Sequence, residues 1–287
     1  MFRYAKASAA ALLCLTVAGG VAAQGAFASE RHPTKDFQTG KVVVDGQAVN
    51  VSCSGTTQPG RPVVVLMAGL GDGLDTWTGV QQTLSRENRV CSYDRLGEGA
   101  SDQPNGLQSF SSTGRVLTGV LNRVAGHRSV VLVGHSLGGL IAARYAPVHP
   151  DRVKGLVLLD ATPSTMIADL KNAIPESATG PAGEIRAQSL AAFAGESPEK
   201  LVVTDGKVRS AGTIPVQVVQ HGQHYLADVP EYGPALESAW AAGQRRWLRL
   251  SHRSTLSTAA NSGHYIHIDE PAVATRAVQR VVTQISR

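Results

Sequence analysis

This 287-residue sequence has no internal repeat and no low-complexity run in its body, so neither a repeat array nor a disordered chain is expected. Charged residues make up only 17% and hydrophobic residues 43%, a balance typical of a packed globular protein. The formal net charge is +5, but no dense cluster of Lys and Arg accompanies it. Nucleic acid is therefore not an expected partner. The length suits one large domain or two small ones.

Residues 1–28 have the layout of a secretory signal peptide. Arg3 and Lys6 form a short positive region, an almost uncharged stretch rich in Ala, Leu and Val follows, and small residues precede a cleavage point after Ala28. Ala23 marks an alternative cleavage point. A membrane anchor is the rival interpretation, but the apolar stretch falls short of the roughly 20 residues that a span needs. We expect a secreted, extracellular protein with no stable membrane span after cleavage.

The mature chain, residues 29–287, would contain few cysteines and a mild positive charge. Loss of Arg3 and Lys6 lowers the formal net charge from +5 to +3. Only Cys53 and Cys91 remain, and an exported protein meets an oxidising environment where two cysteines can form a disulfide. Whether these two can meet depends on the fold.

Strand-like and helix-like segments alternate along the mature chain. The predicted strands span residues 42–44, 48–51, 63–67, 89–93, 130–133, 156–159, 215–219 and, more weakly, 250–258. The predicted helices span about residues 78–87, 111–125, 137–146 and 271–286. Such alternation is typical of β-α-β units, and it predicts an α/β fold with a mainly parallel sheet.

One interval, residues 161–214, contains no predicted strand and is too long for an ordinary loop. Residues 187–194 and 198–203 have helical patterns. We interpret the interval as an inserted helical cap, and the alternative is a crossover with a long flexible loop.

Gly134-His135-Ser136-Leu137-Gly138 is the strongest functional signal. A buried strand runs directly into this Gly-x-Ser-x-Gly pattern and a helical pattern follows, as a nucleophile elbow requires. The turn is so tight that its flanking positions must lack side chains. Ser136 is therefore the candidate nucleophile, and its position at a helix N-terminus favours negative charge.

A serine hydroxyl needs a base to activate it. His264 follows Gly263 in a polar turn after the last predicted strand, where an imidazole can reach the elbow. His267 is the competing candidate.

A carboxylate must orient that imidazole and stabilise its charged form. Residues 221–225, directly after the strand at 215–219, contain none, and the next carboxylate is Asp228. Asp160 directly follows the preceding strand, so we favour Asp160 and keep Asp228 as the alternative. The two oxyanion donors are expected to be the amide of Leu137 and, from the turn after residues 63–67, the amide of Leu70.

Two other patterns receive a less specific interpretation. His221 and His224 could suggest a metal site, but no acidic or Cys ligand stands beside them, so we expect no metal and no cofactor. Trp240 and Trp247 lie seven residues apart on one helical face, and we assign them to core or cap packing rather than to an acyl pocket.

Four motifs in this order make residues 40–286 resemble the α/β-hydrolase superfamily. They are the Gly-rich turn at residues 68–71 with Trp77 after it, the segment 93–102, the elbow, and Gly263-His264 with Pro271. The resemblance implies a mainly parallel eight-stranded sheet flanked by helices, with a helical cap, and is closest to the lipase and esterase branch. The sequence departs from many relatives in having Ala68-Gly69 in place of His-Gly and no acid after residues 215–219.

The resemblance also implies that Cys53, in the second strand, and Cys91, in the fourth, lie on neighbouring strands and form a disulfide. It implies a serine hydrolase that acts on a small-molecule carboxylic ester through an acyl-enzyme on Ser136. Hydrolysis of an amide, lactone, thioester or carbon–carbon bond, and acyl transfer, use the same triad and stay open. A non-catalytic ligand-binding protein is the alternative from another functional class.

Overall fold

The computed structural model describes residues 38–286. The predicted signal peptide, residues 1–28, lies outside this range. Eight strands are present: β1 (Gln38–Val44), β2 (Gln47–Ser54), β3 (Val63–Met67), β4 (Val90–Tyr93), β5 (Val130–His135), β6 (Val153–Leu159), β7 (Val216–His221) and β8 (Ser254–Ala259). They form one sheet in the order β1-β2-β4-β3-β5-β6-β7-β8. β1 pairs antiparallel with β2, β2 pairs antiparallel with β4, and all other neighbours are parallel.

Helices cover both faces of this sheet. They are α1 (Thr78–Leu84), α2 (Phe110–Ala125), α3 (Ser136–Tyr145), α4 (Met166–Ala173), α5 (Gly180–Phe193), α6 (Gly233–Arg246), α7 (Ile266–Asp269) and α8 (Pro271–Ile285). Short 3₁₀ turns lie at Leu74–Trp77, Ala146–Val148, Tyr225–Asp228 and Trp247–Leu250. The predicted α/β-hydrolase architecture, with its eight-stranded and mainly parallel sheet, is confirmed.

The central strand β3 shows why the sheet is covered on both faces. All five of its residues are buried, and alternate side chains enter different cores. Val63, Val65 and Met67 join the core that includes residues of α2 and α3. Val64 and Leu66 join the core that includes residues of α1 and α8. A continuous apolar run is thus required here, because successive side chains of a strand point to opposite faces.

Cys53 and Cys91 are directly opposite each other on β2 and β4, with Cα atoms 4.1 Å apart. A disulfide joins them, in agreement with the prediction. The order of the strands explains the pairing, since β3, which separates the two cysteines in sequence, lies on the far side of β4.

The interval between β6 and β7 contains α4 and α5, but one of its predicted helices is wrong. Residues 198–203 form a turn and two isolated bridges, in which Leu201 pairs with Gln108 and Val202 with Ala194. Tertiary contacts override the local pattern, because Gln108 exchanges backbone hydrogen bonds with Lys200 and Val202. The last strand also starts later than predicted, since Leu250 belongs to a 3₁₀ turn and β8 begins at Ser254. No helix within residues 38–286 is both long and apolar enough to cross a bilayer.

Candidate active site

The nucleophile elbow is formed where β5 ends and α3 begins. Ser136 has φ of 49°, a left-handed conformation that a residue with a side chain adopts only under constraint. A Cβ on Gly134 would lie 2.5 Å from the backbone of Gly138, and a Cβ on Gly138 would lie 2.4 Å from the carbonyl oxygen of Met67. The two glycines of the motif are therefore required by close backbone contact, as the sequence predicted.

Ser136 is almost completely buried, and its Oγ lies 3.3 Å from Oγ1 of Thr162. The amide of Thr162 also donates to the carbonyl oxygen of Ser136, at 3.0 Å. Within residues 38–286, the hydroxyl thus forms its hydrogen bond with Thr162 and not with His264. Catalytic hydrogen bonds are often long or poorly aligned without substrate, so the contact with Thr162 is compatible with a hydroxyl that turns toward an imidazole when substrate binds.

His264 follows β8 and is buried, with its two ring nitrogens in different environments. Nδ1 lies 2.8 Å from Oδ2 of Asp160, whereas Nε2 is buried without a hydrogen-bond partner in the described part of the chain. The carbonyl oxygen of His264 accepts a hydrogen bond from Nε2 of His135, at 3.0 Å. Burial holds the pKa of His135 well below its ordinary value, so this second imidazole acts as a neutral donor. His264 is therefore held at both its ring and its backbone, with Nε2 available to accept a proton.

Asp160 stands at the carboxyl end of β6, fully buried and at φ of 43°. Its Oδ2 contacts His264, and its Oδ1 accepts from Nε1 of Trp240 and from Nδ1 of His221, each at 2.9 Å. Burial alone would raise the pKa of Asp160, but the hydrogen bonds from His221 and His264 outweigh it and lower this pKa to about 2. The carboxyl group is therefore ionised throughout the neutral range.

His221 and Glu237 complete this buried network, and neither was predicted as a site residue. His221 ends β7, and its Nε2 lies 2.9 Å from Oε2 of Glu237 in α6. Burial alone would lower the pKa of His221, but hydrogen bonds to Asp160 and Glu237 raise it to about 10. Its place at the carboxyl end of a parallel strand is the signal that could have found it, because the same rule pointed to Asp160.

The turn that carries Leu70 is fixed on both sides by buried charges. Arg95 donates to the carbonyl oxygens of Ala68 and Gly69 at 2.6 and 2.7 Å, and Glu98 accepts from the amide of Gly71 at 3.1 Å. Burial raises the pKa of Glu98 to about 7, although Arg95 acts in the opposite direction. The Leu70 amide thus belongs to a peptide group whose carbonyl oxygen is held by Arg95, and Glu98 holds the amide of the next peptide group. Such fixation would suit the preorganised oxyanion donor that the sequence predicts.

Arg95 is itself held by the segment between β6 and β7. Its Nε lies 2.6 Å from Oε2 of Glu199, and both side chains are buried. The carbonyl oxygen of Glu199 accepts a hydrogen bond from Nε2 of Gln108. This segment and the turn at residues 68–71 are therefore linked through one ion pair.

The other residues that the sequence analysis considered are Asp228, His267 and Trp240. Asp228 is exposed, and Asp160 is the carboxylate that contacts His264. His267 is buried and stacked on Trp77, with ring centroids 4.2 Å apart, and burial lowers its pKa to about 3. Trp240 is a buried core residue, as predicted, but it also donates to Asp160, which the assignment to packing missed. The indole reaches the carboxylate from α6, which packs against β7, the neighbour of β6 in the sheet.

The residues that the structure describes do not form a set of metal ligands. Within residues 38–286, no group of three or more His, Cys, Asp or Glu side chains is placed to hold a metal ion. The ring of His221 is engaged by Asp160 and Glu237, and the side chain of His224 is exposed.

Comparison with known proteins agrees with this geometry. The family model described as the α/β-hydrolase fold matches residues 62–204, which include the turn at residues 68–71, the elbow and Asp160. The chain belongs to the α/β-hydrolase superfamily. Hydrolases of this superfamily position their chemistry at the elbow and at the carboxyl ends of the strands, where Ser136 and Asp160 lie.

Individual relatives share parts of the sequence. An uncharacterized protein of Mycobacterium tuberculosis is 34% identical over 131 residues, which are 45% of this chain and 35% of the relative. The human (lyso)-N-acylphosphatidylethanolamine lipase is 33% identical over 106 residues, 36% of this chain and 31% of the lipase. The chain thus spans about a third of the length of the curated relatives that it matches.

The solved structures extend the likeness of fold over most of the chain. The carboxylesterase CesB from Bacillus subtilis superposes with a TM-score of 0.60 at 15% identity, covering 87% of this chain and 92% of the esterase. At this level of identity, the likeness concerns the fold.

Proposed function

We propose that this hydrolase is an exported serine esterase that cleaves a small carboxylic ester through an acyl-enzyme on Ser136. One observation carries the proposal: the His264 imidazole is bound through Nδ1 to the ionised Asp160, and its Nε2 has no hydrogen-bond partner among residues 38–286, in a superfamily member with a strained Ser136 at its elbow. This is the division of roles between nucleophile, base and acid in a serine triad.

Acylation begins when the Ser136 hydroxyl turns from Thr162 to Nε2 of His264. The Ser136 oxygen attacks the ester carbonyl carbon, and His264 accepts the hydroxyl proton. The carbonyl oxygen becomes an oxyanion, which the amides of Leu137 and Leu70 stabilise. The carbon–oxygen bond to the alcohol then breaks, and His264 returns its proton to the leaving alkoxide. Water repeats the sequence and releases the acid with Ser136 restored.

Export is supported by the leader-like residues 1–28 and by the Cys53–Cys91 disulfide, which requires an oxidising environment to persist. An ester substrate is supported by the serine at the elbow together with the lipase and esterase relatives. The segment between β6 and β7, residues 161–214, is proposed as the cap that selects the substrate, since its Thr162 contacts Ser136.

The proposal is tested with p-nitrophenyl esters of increasing acyl length and the matched p-nitroanilides. We expect hydrolysis of at least one ester, and we expect Ser136→Ala to lower kcat by roughly 10⁵-fold, because the covalent route is lost. Ser111→Ala, at an exposed serine of α2, is the control and should retain wild-type rates. Full activity in Ser136→Ala would overturn the proposal, and faster cleavage of anilides than of esters would replace the ester assignment with an amidase.

Acyl transfer is separated from hydrolysis by adding short alcohols to the same assay. A hydrolase forms mainly the free acid at low alcohol concentration, whereas an acyltransferase forms mainly the new ester. Absence of any turnover by the folded wild-type protein on all esters and anilides would favour a ligand-binding role.

A further inference from the structure

His221 lies between two carboxylates, which is an unusual place for an imidazole that is not itself the base. Nδ1 lies 2.9 Å from both oxygens of Asp160, and Nε2 lies 2.9 Å from Oε2 of Glu237. The backbone amide of His221 also points to Oδ1 of Asp160, at 3.3 Å. Both ring nitrogens therefore face groups that can only accept hydrogen bonds when ionised.

This geometry determines the protonation state of the ring. A neutral imidazole has one donor and one acceptor nitrogen, so one of its nitrogens would face a carboxylate oxygen with a lone pair. The doubly protonated ring donates at both sites and places its charge between two negative charges. The raised pKa of His221 agrees with this, since its largest favourable contributions come from hydrogen bonds to Asp160 and Glu237.

The carboxylate of Glu237, like that of Asp160, is held by hydrogen bonds on both of its oxygens. Oε1 of Glu237 accepts from the amide of Leu226 at 2.8 Å. Trp240 lies three residues further along α6, and its indole donates to Asp160. Residues three apart on a helix share a face, so α6 brings Glu237 and Trp240 to the two ends of the same network.

We propose that His221 is a positioning residue that, as an imidazolium held by Glu237, fixes the carboxylate of Asp160 and partly compensates its charge. The proposal rests on the assignment of Asp160 and His264 to the catalytic triad. The proposal assigns a role to the residue at the end of β7, in a chain whose proposed triad carboxylate follows β6 rather than β7. Glu237 is the second member of this arrangement, because its Oε2 accepts the Nε2 proton of His221 and offsets part of the charge of the ring.

The groups around His221 and His264 determine how a substitution at His221 affects the protonation of His264. The charged and titratable neighbours of His221 are Asp160, Glu237 and Tyr225. The charged and titratable neighbours of His264 are Asp160, His135, Tyr225, Tyr265, His267 and Asp72. Asp160 is the group that contacts both rings, so a change at His221 reaches His264 chiefly through this carboxylate.

The expected effect has a definite sign. His264 must be neutral to accept the Ser136 proton, so the acid limb of the kcat/KM profile reports loss of its proton. The charge of His221 opposes a second positive charge on the far side of Asp160. Removing that charge stabilises protonated His264 and moves the acid limb to higher pH. Glu237→Gln removes a negative charge but keeps an acceptor for Nε2, so His221 stays protonated by its contact with Asp160 and the limb moves to lower pH.

The kinetic test compares two substitutions that are expected to act in opposite directions. His221→Asn places an amide donor where Nδ1 stands, and it should raise the midpoint of the acid limb by roughly one to two pH units. Glu237→Gln retains an acceptor for Nε2 and should lower this midpoint. His224→Asn, at an exposed histidine three residues after His221, is the matched control and should leave the profile unchanged. Shifts in the same direction, or no shift in either variant, would overturn the proposal.

A second measurement does not depend on catalysis. Long-range ¹H–¹⁵N correlation spectra of the wild-type protein distinguish an imidazolium from a neutral ring, and triple-resonance and NOE spectra of the same protein assign the His221 signal. We expect His221 to remain doubly protonated from pH 6 to pH 8, and a ring that is neutral at pH 8 would refute the proposal even if the variants do not fold. If the protein hydrolyses no ester or anilide but His221 is an imidazolium, the proposed function fails and the buried Glu237–His221–Asp160 arrangement stands.

Discussion

Replacing Asp160 with Asn is expected to lower kcat by about 10⁴-fold and to change KM only slightly. The present carboxylate accepts from His264 on one oxygen and from Trp240 on the other, and Nδ1 of His221 lies 2.9 Å from both oxygens. An amide group can accept through only one of its two atoms, so its NH₂ must face a donor. The imidazole then loses its orientation or takes the wrong tautomer, with Nε2 protonated and unable to accept the serine proton.

Asp228→Asn is the matched control for this variant. Asp228 is exposed and follows the strand β7, after which an acid might have been expected. We expect it to retain wild-type kcat. Steady-state kinetics, with circular dichroism to verify folding, provide the measurement. Activity within tenfold of wild type in Asp160→Asn, or a comparable loss in Asp228→Asn, would contradict the assignment of Asp160.

Replacing Arg95 with Met is expected to lower the free energy of unfolding by about 3–5 kcal/mol, because it leaves the charge of Glu199 buried without its partner. The melting temperature should fall by roughly 10 °C or more. The carbonyl oxygens of Ala68 and Gly69 would lose their donors at the same time. A lower kcat should follow, because the Leu70 amide is then less firmly placed.

A double variant separates these two effects. In Arg95→Met/Glu199→Met both members of the ion pair are replaced, and such apolar replacement of a buried ion pair is often neutral for stability. We expect the double variant to recover most of the decrease in melting temperature. Its kcat should remain low, because the carbonyl oxygens of Ala68 and Gly69 still lack their donors. Lys41→Met, which breaks the half-exposed contact of Lys41 with Asp102, should change the unfolding free energy by less than about 1 kcal/mol. Recovery of kcat together with stability would show that Arg95 does not position the oxyanion turn.

The elbow and the order of the motifs could be predicted because their requirements are local. Gly134 and Gly138 are needed by contacts within the turn and with the adjacent β3 strand, and a continuous apolar run identifies each buried strand. Asp160 could be predicted for the same reason, since it directly follows a buried strand at the carboxyl edge of the sheet. The Cys53–Cys91 pair needed the strand order of the superfamily in addition.

The rest of the site depends on contacts between distant parts of the chain. Trp240 and Asp160 are separated by 80 residues, and Arg95 and Glu199 by 104. Each of these side chains follows an unremarkable local pattern, so its partner becomes apparent only once helices and strands are packed. The same cause made residues 198–203 a turn, because Glu199 points inward to Arg95 and the backbone pairs with Gln108.

Labelling with a fluorophosphonate probe tests the central assignment most directly, because the probe forms a covalent bond only with an activated serine. The labelled protein is digested, and the modified peptide is identified by mass spectrometry, with His264→Ala as a second sample. We predict a single modified residue, Ser136, and loss of labelling in His264→Ala. Labelling of another serine, or an ester-hydrolysing protein whose Ser136 stays unmodified, would contradict the account.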